Sequence, residues 1–249
     1  MRAHSGTTIL RVGGYKMLAT YHRPPGPAKG RFPTVIFLHG FPGSEKNVDV
    51  QRALMARGIA SVAPNFLGAW GSGGTYRFTT LVAQARAVLR QTKKMEFVDS
   101  RRLALFGFSM GGWAALNTAA LEPGLEAVAA VAPAGGPEMI GPGTPAFIKR
   151  LSKPLNSTSN RLLLADFKRA VTTFDPARAV AKLRMPLLLV HGDADATIPD
   201  IISRRLARLS AGPTRLVIER GAGHDFLDRR ERLAALAAGW LSQRLTARR

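Results

Sequence analysis

An α/β fold built on a mostly parallel sheet is predicted by three observations. Eight apolar runs of strand length, rich in Val, Ile, Leu and Phe, recur along the 249 residues. Segments with helical spacing of apolar residues lie between most of them. The first two runs come before any such segment, so the pattern reads as two opening strands followed by βαβα alternation. That order implies a sheet covered on both faces, with antiparallel strands at one edge.

The strand runs are residues 7–12, 17–21, 34–39, 59–64, 103–108, 127–132, 187–191 and 215–219. Leu81, Ala85, Val88, Leu89 and Thr92 keep the i, i+4, i+7, i+8 spacing of one helix face, and Ile201, Ile202, Leu206 and Leu209 do so after Pro199. In residues 228–244, Leu233, Leu236, Ala237 and Leu241 fall on one side and Arg229, Arg230 and Glu231 largely on the other. Residues 133–184 break the rhythm. They open with a dense set of Pro and Gly, show no strand, and carry one short helical pattern at Leu162, Leu163, Phe167 and Ala170. They are expected to be an insertion lying over the sheet, within a single domain spanning 1–249.

Composition removes several classes. With no Cys, disulfides, thiolate catalysis and cysteine-ligated zinc or iron–sulfur centres are excluded. The N-terminal region has its apolar residues broken by Arg11, Gly13, Gly14 and Lys16, and no stretch approaches the roughly 18 apolar residues of a membrane span. A soluble, cytoplasmic chain is expected. The formal net charge of +20 invites a nucleic-acid reading. Its carriers are mostly Arg, scattered over the chain on the outer faces of expected helices, as at Arg204, Arg205 and Arg208, with no aromatic interleaving. Compositional bias accounts for that distribution, so no nucleic-acid partner is expected.

The chemistry is carried by Gly107-Phe108-Ser109-Met110-Gly111, between a strand and the helix-compatible residues 113–121. G-x-S-x-G in this setting puts a serine on a tight, strained turn, with glycines where strand and helix backbones approach. A serine hydroxyl needs a general base held in place by an acid. Of the five histidines, only His191 and His224 follow Ser109. His191 ends a strand, where a buried structural imidazole is expected. His224 lies in a short loop between the last strand and the last helix, suited to a base aimed at the strand ends. The acid should leave the end of the preceding strand, where Asp195 is the first candidate and Asp193 the second. Asp200 is expected in the first turn of the next helix, and Asp225 at the surface or at a helix N-cap. Oxyanion donors should be the backbone N–H of Met110 and that of Phe41, in the loop His39-Gly40-Phe41-Pro42-Gly43-Ser44.

The segments HGFPGS, GAWGSGGT, DSRRLALFGFSMGG, HGDADATIP and GAGHDF resemble α/β-hydrolase fold serine hydrolases, specifically the catalytic domains of prolyl oligopeptidases and their small esterase relatives. The resemblance runs from Thr34 to the C-terminus. It implies Ser109 as nucleophile, Asp195 as acid, His224 as base, and the Phe41 and Met110 amides as oxyanion hole, with no cofactor and no metal. It also makes residues 133–184 a cap. Two departures stand out. No propeller precedes the hydrolase segment, and Leu67 and Ala69 occupy a loop where relatives often carry Arg.

Trp70 and Phe147 are candidate substrate-binding side chains. Residues 68–74 resemble a phosphate loop only superficially, lacking the G-K-[ST] ending. Residues 145–184 carry a local net charge of +7, which reads either as a cationic rim or as a solvated helix face. The expected activity is hydrolysis of carboxylic esters of short to medium acyl chain through an acyl-enzyme. A peptidase or amidase on the same triad is the alternative, and a non-catalytic basic binding protein the reading from another class.

Overall fold

The computed structural model describes residues 3–27 and 30–247. Each of the eight apolar runs forms a strand: β1 (His4–Val12), β2 (Tyr15–Arg23), β3 (Phe32–Leu38), β4 (Ala60–Pro64), β5 (Val98–Phe108), β6 (Ala127–Val131), β7 (Leu187–Gly192) and β8 (Thr214–Glu219). They make one sheet in the order β1-β2-β4-β3-β5-β6-β7-β8. β2 runs antiparallel to both β1 and β4, and every pair from β4 through β8 is parallel.

Period-two alternation assigns the helices to the faces. Ile36, Leu38, Leu105, Val128, Leu187 and Leu189 point to one face. There they meet α2 (Leu81–Thr92), α3 (Met110–Ala119) and α7 (Ile201–Leu209). Val35, Phe37, Ala104, Phe106, Ala129 and Val190 point to the other, against α1 (Val48–Met55) and α8 (Arg230–Thr246). α3 is buried along its whole length. Its apolar residues therefore surround it instead of forming a stripe. Truncating a fully buried side chain here, such as Leu105 or Leu116, would cost about 2–5 kcal/mol.

Three local expectations need correction. β5 begins at Val98, ahead of the apolar run, because Val98 pairs with Phe32 although Asp99, Arg101 and Arg102 follow it. The expected single helix in residues 133–184 is one of three, α4 (Thr144–Leu151), α5 (Asn160–Thr173) and α6 (Pro176–Val180), after a 3-10 turn at Pro137–Met139. Pro145 and Pro176 lie in the first turns of α4 and α6, where the missing N–H costs nothing, so Pro145, one of the residues that suggested irregular chain, in fact starts a helix. Finally, Leu162 is 53% exposed, while Leu163, Phe167 and Ala170 form the buried side of α5.

This helical segment is tied to the chain beneath it. The Asn156 backbone N–H donates to Gly68 O at 2.8 Å, its carbonyl accepts from Tyr76 N at 2.8 Å, and its side chain donates to Gly74 O at 2.8 Å. Thr79 Oγ1 donates to Asp166 of α5 at 2.6 Å. No helix among the described residues is long and apolar enough to cross a membrane. Because β3, β5, β7 and β8 are parallel, the loops at their C-terminal ends meet along one edge of the sheet, where open α/β sheets bind ligands.

Candidate active site

Ser109 follows the end of β5 with φ 55° and ψ −121°, a conformation that non-glycine residues rarely adopt. The neighbouring backbone leaves room for nothing larger than glycine. A Cβ on Gly107 would lie 2.2 Å from Gly111 O, and one on Gly111 would lie 1.9 Å from Leu38 O. The turn is held by Ser109 N donating to Val131 O at 2.9 Å, and by Ser109 O accepting from Trp113 N and Ala134 N.

His224 and Asp195 arrive on loops that are themselves joined. Ala194 N donates to Ala222 O, and Gly221 N donates to Asp193 Oδ1 at 2.6 Å. Gly192 lies so close to Ala222 that a Cβ would sit 2.0 Å from its carbonyl oxygen. His224 Nε2 is 3.1 Å from Ser109 Oγ, and His224 Nδ1 is 2.7 Å from Asp195 Oδ2. Phe108 packs on the imidazole with ring centroids 5.1 Å apart. The three residues chosen from sequence are thus brought into one hydrogen-bonded line. Asp193, the second candidate acid, instead braces the histidine loop, and Asp225 is exposed.

The Asp195 side chain is fully buried. Burial raises the pKa of its carboxyl, but hydrogen bonds from His191, His224 and the Ile198 amide outweigh that and hold it well below the usual carboxylate range. Oδ1 accepts from Thr197 N and Ile198 N, each at 2.8 Å. Oδ2 is shared by His224 and by His191 Nε2 at 3.2 Å. His191 is buried as expected, but its contact with the acid was not anticipated from sequence. The signal was present, since His191 and Asp195 are four residues apart across a Gly-containing turn that folds the chain back on itself.

Gly40 presses against Ser109, where a Cβ would be 3.0 Å from Ser109 Cβ, and this brings Phe41 to the edge of the site. Met110 is the first residue of α3, whose N–H has no partner within the helix. Among the described residues neither amide donates to a backbone acceptor. His39, just before this loop, is fully buried, its Nδ1–H donating to Gly40 O at 2.7 Å and its Nε2 accepting from Phe66 N at 3.0 Å. Burial first, then the nearby Lys46 charge, push its pKa down to about 3 against the Gly40 hydrogen bond, so it stays neutral and rigid.

Two cavities open on Ser109. The larger, about 400 Å³, is walled by Phe41, Phe78, Phe147, Phe167, Met139 and Ile148. Phe41 and Phe78 have ring centroids 4.9 Å apart, and Phe78 and Phe167 meet edge to face at 5.1 Å. The smaller, about 230 Å³, is lined by Gly40–Glu45, His224 and Asp225. Phe147, Arg150 and Thr197 border both. Phe147 therefore reaches the cavities as its sequence position suggested. Trp70 lines neither: its indole N–H donates to Pro42 O at 2.9 Å, so it supports the Phe41 loop from behind. Phe174, in the same helical segment, packs on Trp113 instead. Among the described residues no three or more His, Cys, Asp or Glu are grouped as metal ligands.

The arrangement holds a hydroxyl, an imidazole and a carboxylate in series beside unpaired amides and an apolar hollow, a constellation suited to acyl transfer. Comparison with known proteins agrees on the scaffold. The model of the alpha/beta hydrolase family matches residues 35–236. An uncharacterized protein of Mycobacterium tuberculosis, Rv2307c, is 26% identical over 242 residues, covering 91% of this chain and 74% of the relative. Among solved structures, Est1E from Butyrivibrio proteoclasticus with ferulic acid bound superposes with TM-score 0.79 at 23% identity, covering 96% of this chain and all of the other. A puromycin-hydrolyzing peptidase of Mycobacterium tuberculosis superposes with TM-score 0.77 at 21% identity, covering 99% of this chain and 40% of the other. Likenesses at these identities bear on the fold.

Proposed function

Because the chain belongs to the alpha/beta hydrolase family, we propose that it is a serine hydrolase of carboxylic esters, acting on short to medium acyl groups through an acyl-enzyme. The observation that carries the proposal is the line Ser109 Oγ, His224, Asp195, which ends at the mouth of a 400 Å³ cavity. His224 Nε2 takes the Ser109 proton as Oγ attacks the ester carbonyl. Asp195 keeps the Nδ1 proton in place and stabilises the imidazolium. The Phe41 and Met110 amides receive the developing oxyanion, each worth roughly 3–4 kcal/mol of barrier lowering in sites of this type. His224 then protonates the departing alkoxide, and water, deprotonated by the same imidazole, releases the acid.

That proton delivery assigns the two cavities. The leaving group must sit beside His224, which lines the smaller of the two cavities at Ser109 and not the larger. The acyl group then occupies the larger, whose aromatic walls suit compact apolar or flat ring-bearing acyl chains. Est1E, with ferulic acid bound, is a neighbour in fold whose ligand has that character. The test is a p-nitrophenyl ester series from acetyl to dodecanoyl, with methyl cinnamate and aminoacyl amides beside it. The proposal predicts highest kcat/KM for short to medium and ring-bearing esters, and no comparable amide turnover. Amide turnover equal to that of the esters would overturn the ester assignment while leaving the serine mechanism standing.

A further inference from the structure

Four donors converge on the Asp195 carboxylate, and one of them is a second histidine. His191 lies on β7, completely buried. Its Nε2 is 2.8 Å from Ile198 O and 3.2 Å from Asp195 Oδ2. Both are acceptors, so Nε2 carries the proton and shares it between them. Nδ1, 2.7 Å from Ser203 Oγ, is then left to accept the Ser203 hydroxyl proton. Ser203, on α7, is also fully buried. A continuous relay results, Ser203 to His191 to Asp195 to His224 to Ser109, with its first three members sealed from solvent.

We propose that His191, its tautomer set by the two acceptors at Nε2 and its ring steadied by Ser203 at Nδ1, is a positioning residue that tunes the base: its Nε2–H holds the Asp195 carboxylate in plane and limits how strongly that carboxylate pulls on His224. The proposal rests on the Ser109–His224–Asp195 reading above. Asp195 Oδ1 is fixed by two backbone amides, and Oδ2 is fixed by two imidazoles. Rotation about Cβ–Cγ would break all four contacts together. The His191 N–H also withdraws electron density from the same oxygen that receives the His224 Nδ1 proton. Without it, Oδ2 becomes a stronger acceptor, the His224 imidazolium is stabilised, and the base form of His224 is reached only at higher pH. The other groups facing His224 are Ser109 from the elbow, Glu45 from the β3–α1 loop, Arg150 from α4 and Asp225 from its own loop. All four are unchanged in the variants below, so their fields cancel in the comparison.

The experiment is a pH profile of kcat and KM from pH 5 to 9, by pH-stat on one neutral ester, for the wild type, His191→Phe, His191→Gln and Ser203→Ala. Fluorophosphonate labelling of the wild type and thermal melts of each variant run alongside. In His191→Phe, which keeps the ring shape and removes the donor, the acidic limb of kcat/KM is expected to move up by about half a unit or more. Its kcat should fall about tenfold or more, the scale of one hydrogen bond to a charged group, with KM within about twofold. His191→Gln, whose amide can still donate, should recover most of the loss. Ser203→Ala should lie between, because it removes the hydroxyl that steadies the ring at Nδ1 while leaving the Nε2–H donor and both its acceptors in place. Where His191→Phe does not fold, the Gln and Ala variants carry the test. A folded His191→Phe, or a Ser203→Ala, with the wild-type limb and kcat within twofold would overturn the proposal, as would equal losses in Phe and Gln. If the wild type is not labelled at Ser109, it is instead the triad reading that fails.

Discussion

Replacing Asp195 by Asn exchanges one carboxylate oxygen for an NH2 group, and the surroundings dictate which one. Oδ1 accepts two backbone N–H groups at 2.8 Å, so the amide oxygen of Asn must take that place. The NH2 then occupies the Oδ2 position and donates toward His224 Nδ1, now 2.7 Å away from a donor instead of an acceptor. His224 can accept only by moving its proton to Nε2, where it points at Ser109 Oγ and the imidazole is no longer a base. The same NH2 also faces the His191 N–H. The expected loss in kcat is about 10⁴-fold, or roughly 5.5 kcal/mol of transition-state stabilisation, with KM little changed. Asp193→Asn is the matched control. Asp193 accepts from Gly221 N and does not touch His224, so its amide variant should keep kcat within about threefold. Initial rates on a p-nitrophenyl ester, with active-site titration to count competent molecules, measure both. An Asp195→Asn enzyme within tenfold of wild type, or a larger loss in Asp193→Asn, would refute this reasoning.

Three further outcomes follow from the same geometry. Gly111→Ala places a Cβ 1.9 Å from Leu38 O and 2.5 Å from His39 O, both backbone, so urea denaturation should show a loss of more than about 3 kcal/mol; a loss under 1 kcal/mol would mean the elbow can shift. His39 has a folded pKa of about 3, below its unfolded value, so the native state binds fewer protons between those values. Its contribution is therefore complete above about pH 6.5 and falls as pH drops toward 3, by up to about 1.4 kcal/mol per unit. Urea midpoints measured from pH 7.5 to 4.5 should show that slope in the wild type and a flatter one in His39→Gln. Phe147→Ala removes a wall shared by both cavities, and should raise the kcat/KM of octanoyl relative to butanoyl esters roughly tenfold; Trp70→Ala, outside both cavities, should leave the ratio within about twofold.

Legibility of the molecule from its sequence followed the locality of the physics. β3, β6 and β7 are buried on both faces and were plain as uninterrupted apolar runs. The elbow was legible because the clash between crossing backbones forces glycine at positions 107 and 111, leaving a fixed spacing. α1 was missed: its eight residues bury only Val50, Gln51 and Leu54, too short a period to register. α4 was hidden by a proline that turns out to start it, and α6, at five residues, is too short to show a period. The contact of His191 with Asp195 depends on how the 192–198 turn closes, and the place of Trp70 depends on a hydrogen bond across 28 residues. The first leaves only the four-residue spacing of His191 and Asp195 as a local trace, and the second leaves none. The charge of +20 proved the least informative feature. Arg150 borders the cavities, but Glu45, Glu138 and Asp225 border them as well, so the cationic excess of the 145–184 segment is met by acids at the site itself.

The central claim is that Ser109 is the nucleophile, activated by His224. Intact-mass and peptide mapping after treatment with a fluorophosphonate tests it most directly. The account predicts one adduct per chain on Ser109, formed rapidly in the wild type, absent in Ser109→Ala and slowed by several orders of magnitude in His224→Ala. An adduct elsewhere, or labelling of Ser109→Ala equal to that of the wild type, would contradict it.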